Sequence, residues 1–146
     1  MTKPETSKEN KKITSFTGSY DFLSNTYPCS IEIDGLVFGS AESAFWSQRV
    51  KDLKARRKYT RLSPSKAREK ALQAQPIDNW DELKDSIMQK ILEIKFSNPD
   101  LAKKLKATKN AKLINTNTYR DEYWGVYMGK GKNILGILLT KVRDNL

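Results

Sequence analysis

The stretch Ser30 to Phe38, SIEIDGLVF, alternates polar and apolar residues around an Asp-Gly dipeptide. Period-two alternation fits a half-buried strand, and Asp34-Gly35 favours the positive φ of a tight hairpin turn. Beyond it apolar residues recur at three and four positions, so helices must follow one small hairpin. Ser40 suits the N-cap of a helix from Ala41 to about Lys58, and Pro64 suits the first turn of another. Trp80, Leu83, Ile87, Ile91 and Leu92 place one apolar stripe on a long helix. That helix must stop before Asn98-Pro99, because a residue preceding proline avoids the helical region. A short helix is predicted from Pro99 to Lys106 and a strand over Lys112 to Asn115. Ile134, Leu135, Leu138, Val142 and Leu146 form the inner face of a closing helix, with Asn133 near its start. With a short strand in KKITSF, the chain reads as α+β, mostly helical with a small antiparallel hairpin and short strands, and no βαβ rhythm.

At 146 residues the chain is about one domain long. Residues 12–146 are expected to form that domain, behind a disordered polar arm over residues 1–11 that lacks the apolar core of a secretory signal. No apolar run approaches the roughly 20 residues that cross a bilayer, so no membrane partner and a cytoplasmic location are expected, in the host cytoplasm if the chain is viral. Cys29 is the single cysteine, which excludes an intramolecular disulfide and a CxxC metal or redox pair; beside Pro28 at a strand entrance it reads as structural. The chain has no histidine. Ser/His/Asp and Cys/His nucleophilic sites and imidazole bases are therefore excluded, and acid–base work falls to carboxylates, lysines or tyrosines. No cofactor is indicated.

The net charge of +10 is concentrated. Arg49 to Lys70 holds ten Lys or Arg against Asp52 and Glu69, a local net of +8. Lys51, Lys54, Arg56, Arg57 and Lys58 are its densest part. Such a patch attracts polyanions in a salt-dependent way, or it is a solvated helix face.

Tyr119 to Gly136, YRDEYWGVYMGKGKNILG, compresses carboxylates, aromatic rings, glycines and lysines ahead of the last helix. It fails the P-loop pattern, and Ile134 stands where a dinucleotide fingerprint needs glycine. Two readings stay open. Gly129 and Gly131 with Lys130, Lys132 and the N–H groups of the following helix can take an anion; or the stretch is a basic turn before a core helix. Glu42 is either an acid–base group or a charge that favours a helix N-terminus, and Asp121-Glu122 divides in the same way. Trp46, Trp80 and Trp124 suit a core or a stacking platform.

LSNTYPCSIEIDGLVFGSAESAFWSQR, DNWDELKDSIMQKILEIKFSNPDL and KLINTNTYRDEYWGVYMGKGKNILGILLTKVR, in this order and spacing, resemble the NADAR (YbiA-like) family. Its pattern is approximately LSNF.P, S.EHYFQA.K, W....VM...L..KF, D..WG and GKN.LG..LM..R. The resemblance covers Ile13 to Leu146.

It implies an α+β fold with a cleft, and a metal-independent N-glycosidase that splits a bond between a ribose carbon and a nitrogen. Family members act on ribosylated riboflavin-pathway intermediates or remove ADP-ribose from guanine in nucleic acid. Carried over residue by residue, Glu42, Asp121 and Lys132 are implied as catalytic. Asn25, Arg49, Trp80, Trp124, Gly125, Gly131 and Asn133 are implied as substrate-binding. Together with the basic patch this implies ADP-ribosylated nucleic acid, or another substrate containing ADP-ribose, as partner, and a role as antitoxin or phage anti-defence protein. The alternatives are a riboflavin-pathway ribosylamine as substrate, or a non-catalytic binder. Several positions depart from the pattern: Ser43 stands for histidine, Trp46 for glutamine, Arg49 for lysine and Asn115 for glutamate. The family is held to use a lysine that forms a Schiff base with an opened ribose. Arginine does not do this at ordinary pH, so that route falls to Lys51 or Lys132 or is absent. A divergent member with altered substrate handling is expected.

Overall fold

The computed structural model describes residues 11–146. The expected N-terminal arm lies outside them apart from Lys11, whose carbonyl accepts the Lys112 N–H. In chain order the elements are β1 (Lys12–Ile13), a 3-10 turn (Gly18–Leu23), β2 (Ile31–Ile33), β3 (Leu36–Phe38), α1 (Ala41–Arg49), a 3-10 segment (Leu53–Arg61), α2 (Pro64–Gln73), α3 (Trp80–Lys95), α4 (Pro99–Lys106), β4 (Lys112–Leu113) and α5 (Ile134–Asp144). This is the α+β, mostly helical arrangement with a small antiparallel hairpin. The chain divides into two compact units, Asn25–Ser97 and residues 11–24 with Asn98–Leu146.

In the unit Asn25–Ser97, β2 and β3 pair antiparallel with Ile31 opposite Phe38 and Ile33 opposite Leu36. Asp34 and Gly35 turn the hairpin at φ 51° and 79°, the two left-handed residues a tight hairpin requires. Ser40 then caps α1, its Oγ accepting the Ser43 N–H at 3.0 Å, a contact worth about 1 kcal/mol. The helix expected to reach Lys58 stops at Arg49. The cause is competition for the backbone: Lys51 N–H bonds Gln75 carbonyl at 2.9 Å and Ile77 N–H bonds Arg49 carbonyl at 2.8 Å, which draws Val50 into an extended bridge with Pro76. Asp52 restarts the chain as the 3-10 segment by accepting the Lys54 N–H. α1 packs against α2, α3 and the 3-10 segment, around Ala44, Phe45, Tyr59, Ala67, Ala71, Ile91 and Leu92.

The stripe on α3 also differs from expectation. Its buried residues are Met88, Ile91, Leu92 and Lys95, while Leu83 is 41% exposed. The burial is confined to the C-terminal half of the helix, and at the N-terminal end Trp80 leans on Phe45 with ring centroids 5.0 Å apart.

In the other unit β1 and β4 pair in parallel, Lys12 with Lys112 and Ile13 with Leu113. Asn98 caps α4 by accepting the Asp100 and Leu101 N–H groups, and Pro99 opens it. α5 buries Leu135, Gly136, Leu138, Leu139 and Val142, and Leu146, past its end, is 43% exposed. No helix among the described residues is long and apolar enough to cross a membrane.

Candidate active site

The start of α1 gathers the polar groups that most resemble a reacting centre. Glu42 lies in the first helical turn, where a negative charge is favoured, and is half-buried. Its N–H donates to the Asn25 carbonyl at 2.9 Å. Trp46, one turn further along the same face, donates its indole N–H to Glu42 Oε2 at 2.7 Å, a short charge-assisted bond. Phe45 meets Trp46 edge-on at 5.1 Å and Trp80 at 5.0 Å. Asn25 is 8% exposed; its amide N–H₂ approaches Met88 Sδ at 3.6 Å, and its Oδ1 is buried without a hydrogen-bond partner. An unmet buried acceptor costs about 1–3 kcal/mol.

The stretch Tyr119 to Gly136 behaves in the opposite way. Asn117 organises its first half, accepting the Tyr119 and Asp121 N–H groups and donating to the Asp121 and Val126 carbonyls. Asp121 Oδ1 accepts the Tyr123 and Trp124 N–H groups at 3.0 and 2.9 Å. Tyr127 and Lys130 exchange backbone bonds across Met128 and Gly129, a tight hairpin turn. Gly131 adopts φ 146° with the Gly125 carbonyl where a side chain would begin. Four of the N–H groups around the start of α5 are already satisfied: Ile134 donates to Tyr123, Leu135 to Trp124, Lys132 to Glu122 and Asn133 to Gly125. Asn133 spends both ends of its amide tying Leu113 and Asn115 to the start of α5. The Lys132 ammonium, exposed, lies 5.5 Å from the Tyr123 ring centre.

These two constellations can be set against known proteins. The NADAR domain model matches residues 5–146. The chain belongs to the NADAR family. It is 36% identical over 137 residues to the N-glycosidase YbiA of Escherichia coli strain K12, covering 90% of this chain and 85% of the relative. It is 30% identical over 133 residues to a riboflavin biosynthesis protein of Vibrio vulnificus, of which it spans 36%. The NMR structure of Escherichia coli YbiA superposes with a TM-score of 0.81 at 33% identity, over 93% of this chain and 85% of that one.

The departures of this NADAR chain from the family pattern now have a physical setting. Ser43, at the histidine position, is buried and donates its hydroxyl to the Leu62 carbonyl at 3.1 Å. Arg49 turns its guanidinium to the Ala71 and Ala74 carbonyls at the end of α2, where a cation is favoured. Arg56 does the same for α1, bonding Gln48 and Val50 carbonyls; burial lowers its pKa, partly offset by Asp34. Lys51 pairs with Asp78 at 3.5 Å on the surface. Of the expected patch, Lys54, Arg57 and Lys58 are exposed, with Arg61 closing the 3-10 segment and Lys66, Arg68 and Lys70 continuing the patch along α2.

Sequence reasoning passed over Lys95. It is 1% exposed, with its ammonium 5.6 and 5.2 Å from the Tyr27 and Phe96 ring centres, and its charge partly offsets the rise that burial imposes on the Cys29 thiol. Two signals mark it: it falls on the lysine of the family's L..KF segment, and Met88, Ile91, Leu92 and Lys95 share one helical face. A lysine on that face is a buried charge that the fold must compensate.

Proposed function

We propose that the chain hydrolyses the bond between a ribosyl carbon and a base nitrogen, and that its substrate is guanine in nucleic acid carrying ADP-ribose. One observation carries the hydrolytic reading: the Glu42 carboxylate is gripped by an indole N–H, and the Glu42 backbone is bonded to Asn25, whose side-chain Oδ1 is buried and unmet. Ribosyl hydroxyls and base N–H groups are donors that such an acceptor takes. Cleavage sends the C–N bonding electrons to the base and leaves positive charge on the sugar. Water then gives its hydroxyl to the sugar carbon and a proton to the departing nitrogen. A fixed carboxylate stabilises that charge and relays the proton. With Arg49 engaged on carbonyls, water is the nucleophile this arrangement favours. The N-glycosidase names of its relatives support the reaction class.

The preference for nucleic acid rests on the exposed cations of the 3-10 segment and α2, in the same unit as Glu42. The riboflavin-named relative supports a second reading, a small ribosylamine substrate, whose turnover would be indifferent to salt. The test is to incubate the protein with guanine-ADP-ribosylated DNA and follow free ADP-ribose by mass spectrometry. Release that vanishes in Glu42→Gln supports the reading. Saturable binding without release marks a non-catalytic binder, and equal release by Glu42→Gln removes Glu42 from the chemistry.

A further inference from the structure

We propose that Trp46 is the positioning residue for Glu42, and that Arg68 secures its indole from the neighbouring helix. This rests on the hydrolytic reading above and adds to it the device that orients the carboxylate. An indole N–H is a donor only, so the 2.7 Å bond to Oε2 fixes both the acceptor and its orientation. The two residues are one helical turn apart, which is the spacing at which side chains meet. The ring that carries the donor is itself held. Phe45 meets it edge-on, and the Arg68 guanidinium of α2 lies 5.9 Å from its centre, within cation–π range. Tryptophan turns on only two χ angles, so once its ring is braced the N–H has little room to wander. Glutamine, which the family pattern has here, offers an amide donor from a freer chain. The substitution keeps a donor at this position and stiffens its support.

Three tryptophans give the chain three indole N–H signals, and the one lost in Trp46→Phe belongs to Trp46. In ¹⁵N-labelled protein its solvent exchange is expected to accelerate about tenfold in Glu42→Ala, while the Trp80 and Trp124 signals keep their rates. With ADP-ribosylated DNA, Trp46→Phe should lower kcat about tenfold with KM held within about twofold. Trp46→Gln should recover most of that loss, and Arg68→Ala should cost about threefold in kcat. Circular dichroism confirms which variants are folded before they are compared. Unchanged indole exchange in Glu42→Ala, full kcat in Trp46→Phe, or a Trp46→Gln no better than Trp46→Phe overturns the proposal. A wild-type chain that releases no ADP-ribose overturns the functional reading instead, and the indole exchange still decides whether the Trp46–Glu42 bond forms in solution.

Discussion

The start of α1 and the loop before α5 have similar ingredients, a carboxylate, an asparagine, aromatic rings and nearby cations, and use them in opposite ways. In the loop the polar side chains serve the backbone: Asn117, Asp121 and Asn133 together bind eight backbone partners. At α1, Glu42 is held by another side chain and Asn25 keeps an acceptor unmet. A polar group that completes a loop stabilises the fold, whereas a buried one left unmet costs stability, a cost that a ligand-binding role would explain. Mutations in the two regions should therefore separate stability from turnover.

The largest effect is expected from Glu42→Gln. It preserves shape while removing the charge that stabilises the sugar, and should cut ADP-ribose release by about 10³-fold, the scale seen on losing one preorganised group. Its thermal midpoint should stay close to that of the wild type. A collapse of the midpoint would return Glu42 to the role of a helix-start charge.

Next comes Gly136→Ala in α5. A Cβ there would meet the Leu113 carbonyl oxygen at 2.1 Å and the Asn133 amide at 2.4 Å, atoms that hold β4 to the helix. Overpacking against backbone should cost about 3 kcal/mol, measured by urea unfolding. A neutral result would mean that β4 and α5 can part without loss, and would break the claim that this loop is spent on architecture.

The asparagine pair sharpens the comparison most directly. Asn133→Leu strands the Leu113 carbonyl and the Asn115 N–H, and should cost about 2 kcal/mol. Asn25→Leu removes an unmet acceptor and only a weak contact to Met88 Sδ, so stability should hold or rise by up to about 1 kcal/mol while turnover falls. If Asn25→Leu also unfolds the protein, its amide belongs to the core and the functional asymmetry fails.

Much of this was legible from local pattern. Asp34-Gly35, Ser40, Pro64 and Asn98-Pro99 write turns and caps into adjacent residues, and each appears where the sequence puts it. What could not be read depends on partners remote in the chain. The end of α1 at Arg49 is set by residues 75–77, and the parallel pairing of β1 with β4 joins Lys12 to Lys112. The same holds within the candidate site. The family pattern picked out Glu42 and Asn25, but the Trp46 grip on Glu42 needs a rotamer, and the use of the α5 N–H groups by Tyr123 and Trp124 needs the loop's path. The L..KF segment marks Lys95, but its burial goes unread because a charge is expected outside.

The smallest expected effect tests the basic stretch, where the same contrast recurs between adjacent residues. Arg56 gives its guanidinium to the Gln48 and Val50 carbonyls, whereas Arg57 and Lys58 are exposed. Each cation that neutralises a phosphate adds about 0.9 to the slope of log affinity against log salt on duplex DNA. Arg57→Gln with Lys58→Gln should thus lower that slope by about 1–2 and leave the unfolding free energy within about 0.5 kcal/mol of wild type. Arg56→Gln should leave the slope alone and cost about 1–2 kcal/mol, because it uncovers carbonyls at the end of α1. Binding of DNA by fluorescence anisotropy across a salt series, alongside urea unfolding, reads both quantities. Equal slopes in all three proteins would mean that this face does not track phosphates, and would favour the small ribosylamine as substrate.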